Sequence, residues 1–303
     1  MDLKNIFIFF LCCISQAQDY RITFNKSNWS VFNPAYTGVE GSLVSLNTRS
    51  QWINIEGAPR TSFLMYHLPK RKNVNLGLSI KNDKIFIENK TFINVDYNYQ
   101  LQLDESRFLF LGIKAGGFYN NIDLTALPRI FNEYNPALST VSSYFTPILG
   151  FGIHYKAPKY FVGVSIPSIF SNKRFENNTD WETSATDRSF LHLTGGSDIK
   201  INDSFNLNSA LTFNVFSKNP NLFIANISML YKDQFSIGTG FSNNKSIAVY
   251  TTFYSKKGFQ WGYGYEFING LKADAIKSST HEIMIRINLE KIKKEKTEKD
   301  EKN

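Results

Sequence analysis

The chain has 303 residues and a formal net charge of +8; 15% of its residues are aromatic, with 27 Phe and 15 Tyr, and only 20% are charged. Such a composition leaves large apolar surfaces to place, and the length suits either two ordinary domains or one closed β-barrel. The positive balance does not point to nucleic acid: six lysines crowd the last thirteen residues among acids, and no basic face interleaved with aromatics accompanies them.

Residues 1–17 read as a secretory signal peptide. Lys4 lies in a short polar leader, an apolar run extends from Ile6 to Ile14, and Ser15-Gln16-Ala17 forms a small-x-small cleavage pattern. The run is too short to cross a bilayer as a helix. Both cysteines, Cys12 and Cys13, fall inside it, so the mature chain is expected to carry neither disulfides nor thiolate ligands. Leu11 before Cys12, and Cys12 before Cys13, are not the small residue that lipidation requires, so release at Ala17 is expected. Residues 18–42 are then expected to stand in the periplasm as an N-terminal segment. Residues 43–290 are assigned to an outer-membrane β-barrel and 291–303 to a solvated, Lys-rich tail.

After the leader no stretch of 18 apolar residues exists to form a transmembrane helix, which leaves a soluble β-protein or a barrel. Strict period-two alternation decides between helix and strand. Ile93, Val95, Tyr97, Tyr99, Leu101 and Leu103 fall on one face of a strand, and Asn94, Asp96, Asn98, Gln100 and Gln102 on the other. The same division recurs at 205–215 and at 282–289. In chain order the alternation predicts about fourteen strands, near 43–52, 61–66, 74–82, 90–103, 107–124, 147–155 and 160–165, then 188–201, 205–216, 223–231, 234–241, 246–254, 258–265 and 281–289.

Connections after even-numbered strands are mostly tight, such as Asp104-Glu105-Ser106 and Lys232-Asp233, whereas the long ones, near 125–146, 166–187 and 266–280, all follow odd-numbered strands. Short turns at one end, long loops at the other and an even strand count are what an outer-membrane barrel requires. Closure follows because lipid cannot hydrogen-bond an open strand edge. Against the soluble alternative, a β-sandwich or propeller, the chain has no 40–50-residue repeat for propeller blades, and its tight and long connections alternate too regularly. Trp52, Tyr66, Tyr155, Tyr231, Tyr254 and Trp261 near strand ends suit interfacial aromatic girdles.

Little in the chain suggests chemistry. His67, His154, His192 and His281 are scattered outside any metal-ligand spacing. Strand parity puts His154 and His192 on the polar face, where a barrel interior holds such residues by default. Gly116-Gly117 and Gly195-Gly196 lie within strands, without the strand-to-helix context of a phosphate loop, and are expected to allow bends or close packing. Lys114, Lys200 and Arg286 share the polar face with Asp96, Asp198 and Glu282, so paired charges filling the lumen are expected. No catalytic, metal-binding or cofactor-binding residues are predicted.

Three ordered motifs follow the leader: Asn33-Pro34-Ala35-Tyr36-Thr37-Gly38, then Arg49-Ser50-Gln51-Trp52, then Gly57-Ala58-Pro59-Arg60-Thr61. With Gly77-Leu-Ser-Ile, Leu111-Gly-Ile-Lys-Ala-Gly-Gly117 and Thr280-His-Glu-Ile283, this set resembles the PorP/SprF family of type IX secretion system membrane proteins over essentially the whole mature chain. Thr37 stands where Ala is more usual, and the middle, about 125–190, is individual to this chain. The resemblance implies a Bacteroidota outer-membrane protein tied to the machine that exports folded proteins bearing C-terminal signals, gliding adhesins among them. It implies an accessory or cargo-specific anchor, without catalysis, touching membrane lipid, the periplasmic ring or its lipoproteins, and a secreted protein with a C-terminal signal domain. Asn33, Pro34, Ala35, Tyr36, Gly38, Arg49, Gln51, Trp52, Gly57, Ala58 and Pro59 would be its structural motif residues. A diffusion channel for small or hydrophobic solutes is the alternative, and a lipid-modifying enzyme finds no nucleophile and base at suitable spacing.

Overall fold

A computed structural model of the chain describes residues 23–293 apart from 54, 124–142, 171, 174–185, 188, 218–219 and 269–278. The leader and most of the Lys-rich tail lie outside the described residues, as do large parts of the three long loops.

The strands are β1 (Leu43–Gln51), β2 (Arg60–His67), β3 (Val74–Ile85), β4 (Glu88–Gln102), β5 (Phe108–Ile122), β6 (Tyr144–Lys156) and β7 (Tyr160–Ile166). After a two-residue ladder of β8 (Asn172–Lys173) with β9 (Thr186–Asp187) come β10 (Phe190–Lys200), β11 (Phe205–Phe216), β12 (Leu222–Tyr231) and β13 (Phe235–Ser242). The chain finishes with β14 (Ser246–Tyr254), β15 (Phe259–Ile268) and β16 (Ser279–Asn288). Fourteen of them, all but β8 and β9, form a closed antiparallel barrel in which each strand pairs with its sequence neighbours. The wall closes where β1 pairs with β16, Leu43 facing Asn288 and Gln51 facing Thr280. The predicted strands match to within a few residues, and only the short β8–β9 ladder was not anticipated.

The distribution of side chains is inverted relative to a soluble protein. On β4, Ile93 and Val95 are 54% and 52% exposed while Asn94, Asp96 and Asn98 between them are buried. Apolar side chains facing outward along every strand need an apolar surrounding, and the polar set fills the inside. This excludes the sandwich and propeller readings.

The long connections gather at one end and the other carries only short ones, which by the usual arrangement of such barrels makes it periplasmic. The residues of these short turns explain their tightness. Asp104 Oδ1 accepts the backbone N–H groups of Ser106 (2.9 Å) and Arg107 (2.7 Å), and Asn202 Oδ1 those of Ser204 and Phe205, both at 2.9 Å. Lys232 and Asp233 both take positive φ, 46° and 54°, the mirror-image turn whose twist matches that of a hairpin.

The structure corrects one boundary. Residues 23–42 do not stand apart from the barrel in the periplasm; they lie inside it. One side chain of the expected girdle is also reassigned: Tyr254 lines the lumen cavity beside Tyr250, whereas Tyr66, Tyr231 and Trp261 face outward.

Candidate functional site

The feature that sets this barrel's character is its internal plug. It begins with a single helical turn, Asn25–Asn28, followed by short 3-10 turns at Trp29–Val31 and Pro34–Tyr36. Asn33 starts the last turn by accepting the Ala35 N–H on its Oδ1 at 2.9 Å, and Pro34, whose fixed φ suits the first position, needs no donor there. Gly38 then reverses the chain at φ +75°, and a Cβ at that position would stand 2.5 Å from the Asn75 Cβ. Ser42 leads directly into β1.

The wall receives the plug with groups that satisfy its backbone. Asn98 donates from Nδ2 to the carbonyls of Ala35 (3.1 Å) and Thr37 (2.6 Å), and Ser165 donates to that of Phe32 (3.1 Å). Asn33 Nδ2 in turn donates to the Ile153 carbonyl at 3.2 Å. Asp96 accepts the Thr37 hydroxyl (3.0 Å) and pairs with Lys114 (2.7 Å), which also donates to the Ser30 carbonyl at 3.3 Å. His67 Nδ1 accepts the Gly38 N–H at 3.3 Å, which leaves its Nε2 to carry the ring proton and face Ser30 Oγ at 3.2 Å. Tyr36 and Thr194 share a hydrogen bond of 2.8 Å, and the Tyr36 ring lies 4.0 Å from that of His154. Burial pushes the Tyr36 phenol up, and the Thr194 hydrogen bond offsets part of that rise.

Wall residues also make way for the plug. At Gly112 an added Cβ would lie 2.2 Å from the Ala35 nitrogen, and at Gly152 it would lie 1.9 Å from Asn33 Oδ1. Only glycine leaves room at these lumen-facing positions.

Toward the loop end, Arg49 closes the upper contact. Its guanidinium pairs with Glu266 at 2.9 Å and Glu282 at 3.3 Å, all three side chains being buried. Glu282 also accepts the Thr23 backbone N–H at 2.7 Å and the Asn47 amide at 2.9 Å. Beside this network an apolar layer of Phe24, Phe32, Phe63, Phe190 and Met284 spans from plug to wall. Toward the turn end, Glu40 of the plug accepts from Arg286 at 2.5 Å and Lys26 pairs with Asp198. Burial opposes ionisation of Glu40, but the charge and hydrogen bond of Arg286 outweigh it and hold the carboxyl below its usual range.

The plug leans away from β12 and β13, leaving a cavity of about 320 Å³ lined there by Asn226, Ser228 and Ser236 and across from them by Phe24 and Lys26. Among the described residues no group of three His, Cys, Asp or Glu side chains could hold a metal ion.

The motif residues thus separate into two places. Asn33, Pro34, Ala35, Tyr36 and Gly38 form the plug, and Arg49 reaches it from β1. Gln51, Trp52, Gly57, Ala58 and Pro59 instead build the outer β1–β2 hairpin. There Gln51 N–H donates to the Pro59 carbonyl (3.0 Å), Trp52 N–H to that of Ser279 (2.9 Å), and Ala58 N–H to that of Ile55 (3.2 Å). Gly57, at φ +74°, accepts the Phe86 N–H at 2.8 Å and so ties this hairpin to the β3–β4 turn. The expected lumen charges pair as Lys114 with Asp96, but Arg286 finds Glu40 of the plug, Asp198 finds Lys26, and Lys200 pairs with Asp203 at the rim.

Solved structures with this architecture are outer-membrane barrels. A monoaromatic hydrocarbon channel, the TodX deltaS2S3 mutant, superposes with a TM-score of 0.53 at 10% identity, covering 86% of this chain and 94% of that one. The outer membrane protein Omp33 of Acinetobacter baumannii gives 0.49 at 10% identity (82% and 98% covered), and the CymD monoaromatic hydrocarbon channel 0.49 at 12% (88% and 92%). At such identities the likeness is one of fold. No curated protein matches the chain. The family model of the type IX secretion system membrane protein PorP/SprF matches residues 14–287. This outer-membrane barrel, with its lumen occupied by its own N-terminal segment, belongs to the PorP/SprF family of type IX secretion system membrane proteins.

Proposed function

We propose that this barrel serves type IX secretion without catalysis, as an accessory or cargo-specific anchor for exported proteins that carry C-terminal signals. The observation that carries the reading is the plug. A lumen crossed by residues 23–42 and bonded to the wall around most of its circumference is poorly suited to pass solute, so the barrel acts through its two exposed ends. The loop end would hold a secreted or surface-attached protein, gliding adhesins being one class. The turn end would face the periplasmic ring or its lipoproteins. In this reading the motif residues are structural: Asn33 to Gly38 and Arg49 set the plug, while Gln51 to Pro59 shape the outer hairpin. The hydrocarbon channels that share the fold lend it no transport role.

The test compares surface and secreted proteomes of a strain lacking the gene with those of its parent. Loss of one or a few C-terminal-signal proteins, restored by complementation, is the expected result. Unchanged secretion together with altered uptake of small solutes would contradict it.

A further inference from the structure

The net charge of the protein is not spread evenly between its two ends. Among the turn-end connections, β2–β3 carries Lys70, Arg71 and Lys72, β4–β5 carries Arg107, and β6–β7 carries Lys156 and Lys159. Lys200 stands at the β10–β11 turn, Lys232 at β12–β13, and Lys256 with Lys257 at β14–β15. All of these residues are exposed. They are ten cations against four acids, Asp104, Glu105, Asp203 and Asp233. At the loop end the connections with their flanking strand-terminal residues, 51–60, 85–88, 122–144, 166–190, 216–222, 242–246 and 268–279, hold nine cations and nine acids. Six of the formal excess of +8 therefore belong to the periplasmic rim and the other two to the Lys-rich tail.

Two of the four rim acids are taken up locally, Asp104 by Arg107 and Asp203 by Lys200. Every one of the six turns still brings a cation to the collar, so the charge encircles the barrel. A docked protein would cover one sector of such a ring, whereas lipid headgroups surround the whole of it. The level is also that of headgroups. Outward-facing aromatic side chains at the turn-end strand termini, including Tyr66, Tyr160, Phe205, Tyr231 and Phe253, form a belt at the edge of the apolar band. Lys232 Nζ lies 5.2 Å from the centroid of the Tyr231 ring, joining belt and collar. A basic residue held near an anionic bilayer surface gains about 1 kcal/mol, roughly a fivefold effect for each.

We infer that the turn-end collar is a binding surface for anionic phospholipid headgroups of the periplasmic leaflet, a phosphate-bearing ring that fixes the depth and tilt of the barrel. The proposal is independent of the secretion reading.

The test uses the full-length protein folded in detergent and incubated with equal amounts of phosphatidylglycerol and phosphatidylcholine, with retained lipid counted by native mass spectrometry. Wild type is expected to retain phosphatidylglycerol at least tenfold over phosphatidylcholine, less so as salt rises. A variant with Lys70→Gln, Arg71→Gln, Lys72→Gln, Lys256→Gln and Lys257→Gln should lose at least tenfold of that retention. The loop-end change Lys245→Gln should not. Heat-modifiable gel mobility restricts each comparison to folded barrel. Equal retention of both lipids by wild type, or full retention by the five-fold variant, would overturn the proposal. So would a variant that keeps its lipid preference yet loses secretion in cells, since the collar would then serve a protein.

Discussion

Arg49 stands between two buried carboxylates, and removing it would take the shared guanidinium charge from both. Arg49→Ala is expected to destabilise the folded barrel by about 3–5 kcal/mol, the range for breaking a buried ion pair from one side. Denaturant titration of detergent-folded protein measures this, and an unchanged midpoint would remove the network from the account. Glu40 gives a pH test. Its carboxyl is held below the usual range, so its contribution is complete at neutral pH and is lost as pH falls through the depressed folded-state value. Plug attachment, followed by Trp29 fluorescence, should weaken on acidification, and Glu40→Gln should remove that part of the acid dependence. A midpoint unmoved by the substitution would contradict the assignment. The motif residues were readable as a set from sequence, but their partners were not. Nothing in the order Asn33-Pro34-Ala35-Tyr36 says that Asn98 lies opposite, because that meeting depends on a chain reversal through Gly38.

At the scale of the element, the strands were legible because period-two alternation is imposed residue by residue by the two solvents a barrel wall separates. Val95, at 52% exposure on β4, is part of the lipid face. Val95→Arg is expected to cost about 2–4 kcal/mol of barrel stability in vesicles. The neighbouring Asn94, directed inward, follows a different rule, and an equal cost for Asn94→Ser would argue against the assigned faces. The plug was not legible because residues 23–42 show neither period, and three short turns with scattered Asn, Ser and aromatic residues read as an ordinary loop. The signal that could have revealed it lay in the wall. Gly77, Gly112, Gly152 and Gly163 all occupy lumen-facing positions where a Cβ would strike the plug. The place of Tyr254 near a strand end suggests the girdle, but alternation along β14 with Tyr250 and Thr252 turns it inward.

For the molecule as a whole, the division of labour is between a wall that closes by itself and a segment that fills it. Every barrel strand finds both partners in the ladder without help from residues 23–42, from the β1–β16 seam around to β1–β2. The plug should therefore be separable from the barrel, and its occupancy decides whether the protein acts through a pore or through its ends. Single-channel recording in planar bilayers tests this most directly, comparing the full mature chain with a variant lacking residues 23–38. The full chain is predicted to stay electrically silent while the shortened one shows stable open steps. Steady conductance by the full chain, equal to that of the shortened one, would contradict a plugged barrel and with it the reading of this protein as an anchor.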